Sequence, residues 1–209
     1  MPTLHDSTFR DIGALMHGAV GLAFSDAKKP LIASRLAPRM HRLGLDSFED
    51  YLALIADDGE GEEMQVAIDL LTTNETYFFR ETKHYELLEQ EILTRPRERW
   101  SMWSAACSFG DEAYSIAMLM TELQSARRIG GDWQILGTDI SDRVLRSATE
   151  AVYPEDRLRE LSPERLKRHC LRGEGDSQGL VMMKDTLRQH VKFGQRSRGR
   201  VRISCSSNS

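Results

Sequence analysis

Asn74, Thr76 and Arg80 stand within seven residues of one another, Glu112 opens a helical pattern, and Asp139 ends a strand pattern. These side chains offer an amide, a hydroxyl, a guanidinium and two carboxylates, which is the chemistry of a site that grips a polar ligand. The first three belong to residues 72–81, Thr-Thr-Asn-Glu-Thr-Tyr-Phe-Phe-Arg-Glu. Tyr77, Phe78 and Phe79 would anchor this stretch, and the polar residues would line a pocket between two domains. The same residues also read as a helix end followed by a packed connector. A guanidinium such as that of Arg80 can hold a carboxylate through a bidentate pair; an ion pair with a neighbouring acid is its alternative.

The second group follows a strand pattern at residues 100–106, in the turn Cys107-Ser108-Phe109-Gly110-Asp111-Glu112. A turn that cradles pyrophosphate needs bare amides and a helix N-terminus free of anions. Here only Gly110 is a glycine, and Asp111 and Glu112 would repel phosphate. They would equally stabilise the helix macrodipole. Asp139 stands where folds of this kind bind ribose hydroxyls. Carboxylates without a phosphate cradle suit a positively charged nucleoside, so S-adenosylmethionine fits better than NAD or ATP.

Two kinds of element must position these groups. Before residue 72 the apolar spacing is helical: Phe9, Ile12, Met16, Ala19 and Val20, then Leu31, Ala33, Leu36, Met40 and Leu43, then Tyr51, Leu52 and Ile55, then Met64, Ala67, Ile68 and Leu71. Pro30 suits a first turn, Pro38 predicts a kink or the true start of the second helix, and Gly44 predicts its C-cap. Asp46 with Glu49 resembles a capping box opening the third. After Arg80 a helix carries Tyr85, Leu88 and Ile92 inward. Then strand and helix alternate: a buried strand at 100–106, a helix with Ile116, Ala117, Met120 and Leu123, a strand at 133–137, and a helix with Val144, Leu145 and Ala148. That β-α-β-α order predicts a parallel, doubly wound sheet with its ligand at the C-terminal strand ends. Ser162, Pro163 and Glu164 start a further helix. The turn-rich stretch 172–179 and short strands at 180–183 and 190–193 follow.

Composition bounds the function. A net charge of −4 gives no reason to expect nucleic acid. The sequence has no run of about 18 apolar residues, so nothing predicts a membrane span. Cys107, Cys170 and Cys205 form neither an even framework nor a Cys-x-x-Cys pair, and the histidines lack metal spacing, so a reducing cytoplasm and no metal are expected. Lys28, Lys29, Arg35, Arg39 and Arg42 make a basic stretch without an acid: a solvated helix face, or a face that steers the chain to an acidic partner.

Residues 71–81, Trp-Ser-Ala-Ala-Cys-Ser-Phe-Gly-Asp-Glu-Ala-Tyr-Ser-Ile-Ala at 103–117 and Thr-Asp-Ile-Ser at 138–141 together resemble the chemotaxis receptor glutamate methyltransferases, the CheR family. The resemblance runs in order over roughly residues 9 to 195. It implies S-adenosylmethionine-dependent methyl esterification of glutamates on chemoreceptors, by a monomer. It implies that Asn74, Thr76, Arg80, Glu112 and Asp139 contact the cofactor, with Arg80 also catalytic, and that the basic helix faces the receptor helices. The implied architecture is α/β: a small all-α domain over 1–72, an interdomain segment over 73–82, and a partial methyltransferase domain over 83–195. A small antiparallel β insertion is implied at about 170–194, of the kind that in some members docks a receptor's C-terminal peptide, with Gly173, Gly175 and Gly179 matching that version.

From residue 196 arginine and serine alternate without an apolar face, which predicts a disordered tail over 196–209. The family would continue with an Asn-Leu segment, an Arg-Asn and a Tyr, none of which follows residue 195. A truncated or frame-shifted copy of the family is therefore expected. The alternative function is an inactive remnant that binds receptor or cofactor weakly.

Overall fold

The computed structural model describes residues 2–58, 61–95, 97–197 and 200–203, with side chains as far as Gln195. Two compact units emerge, one built on the residues up to Thr73, the other on 74–139 and 143–196. Residues 74–81, expected as part of a connector, cluster with the second unit.

The first unit contains α1 (Asp6–Val20), α2 (Lys29–Leu43), α3 (Phe48–Asp58) and α4 (Glu62–Leu71). Each contributes one buried stripe: Phe9, Ile12 and Met16; Ile32, Leu36 and Met40; Phe48, Tyr51 and Ile55; Met64, Ala67, Ile68 and Leu71. The α2 stripe is set by Ile32 rather than by Leu31 and Ala33, and Leu43 is 37% exposed. Pro38 neither starts nor ends α2, which begins nine residues earlier, with Pro30 in its first turn. Gly44 closes it at φ 70°, and the Leu45 amide returns to the Met40 carbonyl at 3.0 Å, a Schellman closure. The cap of α3 is displaced by one residue from the expected Asp46–Glu49 box. Ser47 Oγ accepts the Asp50 amide at 3.1 Å and donates to the Asp50 carboxylate at 2.6 Å, whereas Glu49 accepts from Thr8.

The basic stretch does not form one solvent-facing surface. Arg39 forks onto Glu63 at 3.1 and 3.2 Å, and Tyr51 donates to the same carboxylate at 2.8 Å. Arg35 donates to the last carbonyls of α4, Leu71 O at 3.2 Å and Thr72 O at 2.9 Å. Lys29 pairs with Asp6. These three cations serve the helical unit itself, and Lys28 and Arg42 are the exposed members.

The second unit opens with α5 (Thr82–Thr94), then β1 (Arg99–Ala105), α6 (Asp111–Ser125), β2 (Asp132–Asp139) and α7 (Asp142–Glu150). β3 (Val152–Pro154), a 3-10 turn, α8 (Pro163–His169), β4 (Cys170–Arg172), β5 (Leu180–Met183), α9 (Asp185–Arg188) and β6 (Val191–Ser197) complete it. β1 runs parallel to β2 from Arg99↔Asp132 to Ala105↔Thr138, and β2 runs parallel to β6 from Ile135↔Val191 to Asp139↔Gln195. α6 packs on this sheet with Ala113, Ile116, Ala117, Met120 and Leu123 buried. The helix-start reading of 162–164 holds: Ser162 Oγ accepts the Arg165 amide at 3.3 Å.

Three expectations change. β1 is not buried on both faces. It lies at the edge of its sheet, paired with β2 on one side, so its residues alternate and Trp103 is 56% exposed. Residues 190–193 do not pair with 180–183. Val191 and Phe193 face the main core as part of β6, and the antiparallel sheet is β3-β5-β4, with Val152–Pro154 as its third strand. Finally, the backbone beyond residue 195 is not irregular throughout. β6 reaches Ser197, and Arg200–Ile203 forms β7 beside it. Residues 198–199 and 204–209, with Cys205, lie outside the described residues. Among the described residues no helix is long and apolar enough to cross a membrane, and no cluster has metal-ligand character.

Candidate functional site

The register that sets Ala105 opposite Thr138 brings the C-terminal ends of β1 and β2 side by side. The turn after β1 is then stitched to β2. The Cys107 amide donates to Thr138 O at 2.9 Å, and the Ser108 amide donates to Asp139 Oδ2 at 2.8 Å. Along this turn the backbone is left-handed at Ala106 (φ 56°), Ser108 (φ 51°) and Gly110 (φ 85°). Conformations of this kind persist where the surroundings over-determine them, commonly at ligand sites. Gly110 is constrained twice, because an added Cβ would stand 3.0 Å from both Ala148 Cβ and the Phe193 ring.

Glu112 and Asp139 are held by different partners. Asp139 is buried, held by the Ser108 amide. Glu112 is exposed in the first turn of α6, where Ser104 of β1 donates to it at 2.6 Å. Asp111 plays another part. Its fully buried carboxylate receives Arg157 through two bonds of 2.9 Å, and that guanidinium lies 4.4 Å over the Phe109 ring. Arg157 neutralises Asp111, so Glu112 alone of the two acids faces solvent. The Cys107 thiol is pushed well up by burial and then by the nearby Asp139 charge, which makes it a poor nucleophile.

Residues 74–81 join the same turn of α6. Phe78 is buried edge-on to Tyr153 at 5.2 Å, and Phe79 packs on Tyr85 at 4.8 Å. The Phe79 amide donates to Ser115 Oγ at 3.0 Å, and Ser115 Oγ donates to Asp111 O at 2.7 Å. Phe79 and Glu81 are themselves left-handed, at φ 55° and 56°. Arg80 stays exposed. It donates to Glu75 O at 2.7 Å and lies 5.9 Å from the Tyr77 ring centre. A backbone carbonyl, not a carboxylate, is its partner, and a guanidinium has further N–H donors to offer.

The residues present fit a nucleoside with a charged group. Asn74 Nδ2 and Ser108 Oγ are buried without a hydrogen-bond partner, and buried polar atoms are rarely left so. Thr76 is half-buried between Asn74 and the aromatic anchor in sequence. Ser104 thus holds Glu112, the Ser108 amide holds Asp139, and Ser115 holds the backbone at Phe79, the residue before Arg80. The structure gives Asn74 an unmet donor and Thr76 no distinguishing contact. The serines are the part that spacing along the chain did not single out; Ser108 reaches Asp139 across 31 positions and Ser115 reaches Phe79 across 36.

Residues 74–197 match the family described as "CheR methyltransferase, SAM binding domain", and residues 7–72 match "CheR methyltransferase, all-alpha domain". The chain is 38% identical over 190 residues to a chemotaxis protein methyltransferase of Klebsiella aerogenes, covering 91% of this chain and 64% of that protein. It is 37% identical to the Escherichia coli protein of the same name, covering 91% and 65%. For the Vibrio parahaemolyticus protein the identity is 35%, with 91% and 70% covered. The chain therefore spans a little under two thirds of the first two relatives. With both of its units matched in order, the chain belongs to the CheR methyltransferase family.

Proposed function

We propose that this chain binds S-adenosylmethionine at residues 74–81, 106–112 and 138–139 and methylates glutamate side chains of chemoreceptors. The observation that carries the reading is the pair of carboxylates beyond the C-terminal ends of two adjacent parallel strands, Asp139 closing β2 and Glu112 in the first turn of α6 after β1, where Ser104 of β1 donates to it. When bound, the sulfonium group would supply an electrophilic methyl. Asp139 and Glu112 would accept hydroxyl or amine donors of the nucleoside and complement its positive charge. A substrate glutamate is already ionised at neutral pH, so no general base is required of the protein. The chain's own work is to align two reactants and exclude water, which can supply most of the acceleration in such a transfer. Arg80, exposed and bonded to the Glu75 carbonyl beside the Tyr77 ring, would orient a carboxylate.

Binding of S-adenosylhomocysteine measured by calorimetry, with transfer of a tritiated methyl group to a receptor cytoplasmic fragment, tests the proposal. Asp139→Ala should weaken binding by about tenfold or more, the loss expected for hydrogen bonds to a charged group. Arg80→Ala should abolish transfer. Wild-type turnover in Arg80→Ala would remove it from the site, and a chain that binds no S-adenosylhomocysteine would sink the reading. A second reading, binding without turnover, is favoured by the open edge of β1 with its exposed Trp103. Affinity with no transferred label would select it. For the receptor contact, Lys28 and Arg42 are the exposed cations that support it.

A further inference from the structure

We infer that Arg165 is a positioning residue for the loop that carries Arg80, acting through Phe79. Arg165 stands in the first turn of α8, and its guanidinium lies 3.9 Å over the Phe79 ring centre. Stacking of this kind needs the guanidinium plane fixed, and the structure fixes it. Nε and Nη2 each reach a Glu122 oxygen at 2.9 Å, the bidentate fork that a lysine cannot make. Glu122 is in turn held by His169, whose ring is 1% exposed and whose Nε2 stands 3.2 Å from Glu122 Oε1. A buried histidine, a carboxylate and an arginine are thus spent on the outer face of one phenylalanine.

That phenylalanine is where the site loop bends. Phe79 adopts φ 55°, a conformation that a bulky residue resists, and its amide is held by Ser115. Tyr85 packs on its ring at 4.8 Å. With Arg165 above and Tyr85 alongside, the ring has little freedom to leave, and the left-handed turn at 79–81 stays formed. Arg80 is the next residue along, so its direction follows from the ring's. Arg165 touches no ligand itself under this assignment. The inference rests on the proposed site only for its binding readout.

Amide hydrogen exchange of the full chain, with and without S-adenosylhomocysteine, tests it on Arg165→Met, Arg165→Lys and Phe79→Leu. Losing a desolvated cation–π contact should speed exchange at Phe79 and Arg80 by about tenfold and weaken S-adenosylhomocysteine by a similar factor. Amides in β2 should be unchanged. Arg165→Met added to Phe79→Leu should bring no further loss, because the ring it acts through is gone. If Arg165→Met does not fold, Arg165→Lys decides, since it keeps a charge beside Glu122 but not the fork. Unchanged exchange at 79–80, or equal acceleration across β2, would overturn the assignment. A wild-type chain that ignores S-adenosylhomocysteine would count against the proposed function alone, and the exchange at 79–80 would still decide the role of Arg165.

Discussion

Gly137 sets how closely Phe193 approaches the strand that ends in Asp139. A Cβ there would stand 2.7 Å from two carbons of the Phe193 ring and 3.0 Å from Cys107 Sγ. Gly137→Ala should therefore cost about 1–3 kcal/mol through overpacking. It should also weaken S-adenosylhomocysteine, because Thr138 and Asp139 follow directly. A urea midpoint measured beside a calorimetric titration checks both, and an unchanged midpoint would contradict the packing argument. Individual residues were legible in the sequence where their chemistry was unusual for their place. Glu112 is an acid where a phosphate site would exclude one, Asp139 is an acid at a strand end, and Arg80 follows three aromatic residues. Ser104, Ser108 and Ser115 were not legible. Serine is common, and each acts through a contact that exists only after the strands and α6 have been brought together. Arg165 is the same case at longer range, since nothing near it in sequence points to Phe79.

Elements were legible where a period repeats and illegible where they are short. The stripes of α1, α3 and α4 and the β1-α6-β2-α7 order follow from spacing alone. β3 has three residues and ends at Pro154, too few to show alternation, so its partnership with β5 appeared only in the fold. The start of α3 shows how a local rule misplaces an end by one residue. Asp46–Glu49 and Ser47–Asp50 both satisfy the three-residue spacing, and Thr8, distant in sequence, decides between them by engaging Glu49. Ser47→Ala should destabilise the chain by about 1 kcal/mol, the usual worth of an N-cap. Asp46→Ala should change it by less than about 0.5 kcal/mol, as an exposed substitution away from any cap. Thermal melts of the two variants compare them directly, and the reverse order would restore the Asp46 cap.

At the scale of the molecule, the larger unit is held together by charge pairs that tie its inserted segments to α6. Arg157 and Arg165 both lie between β3 and β4 in sequence, and they meet Asp111 and Glu122 at the two ends of the helix. The pairing at Glu122 carries an acid dependence of stability. Burial opposes its charged form, yet hydrogen bonds from His169 and Arg165 outweigh that and hold the carboxyl down to about 2, against an ordinary value of 4.5. A folded pKa below the unfolded one means that the unfolded chain binds more protons across that interval, so stability falls as pH falls. Glu122's contribution is complete above about pH 4.5 and is lost as pH falls through about 2. On the alkaline side the sign reverses: burial first, then the charges of Glu112 and Asp111, push Tyr85 up to about 12 despite a hydrogen bond with Ser115, so its contribution is lost as pH rises from 10 toward that value. Glu122→Gln isolates the acid limb from the other carboxylates. Its deficit in urea stability relative to the parent should be constant from about pH 5 upward and should shrink toward zero as the parent's Glu122 protonates. A deficit that stays the same down to pH 2 would mean that the Arg165–Glu122–His169 group contributes packing and no charge, and the clamp on Phe79 would then have to work by shape alone.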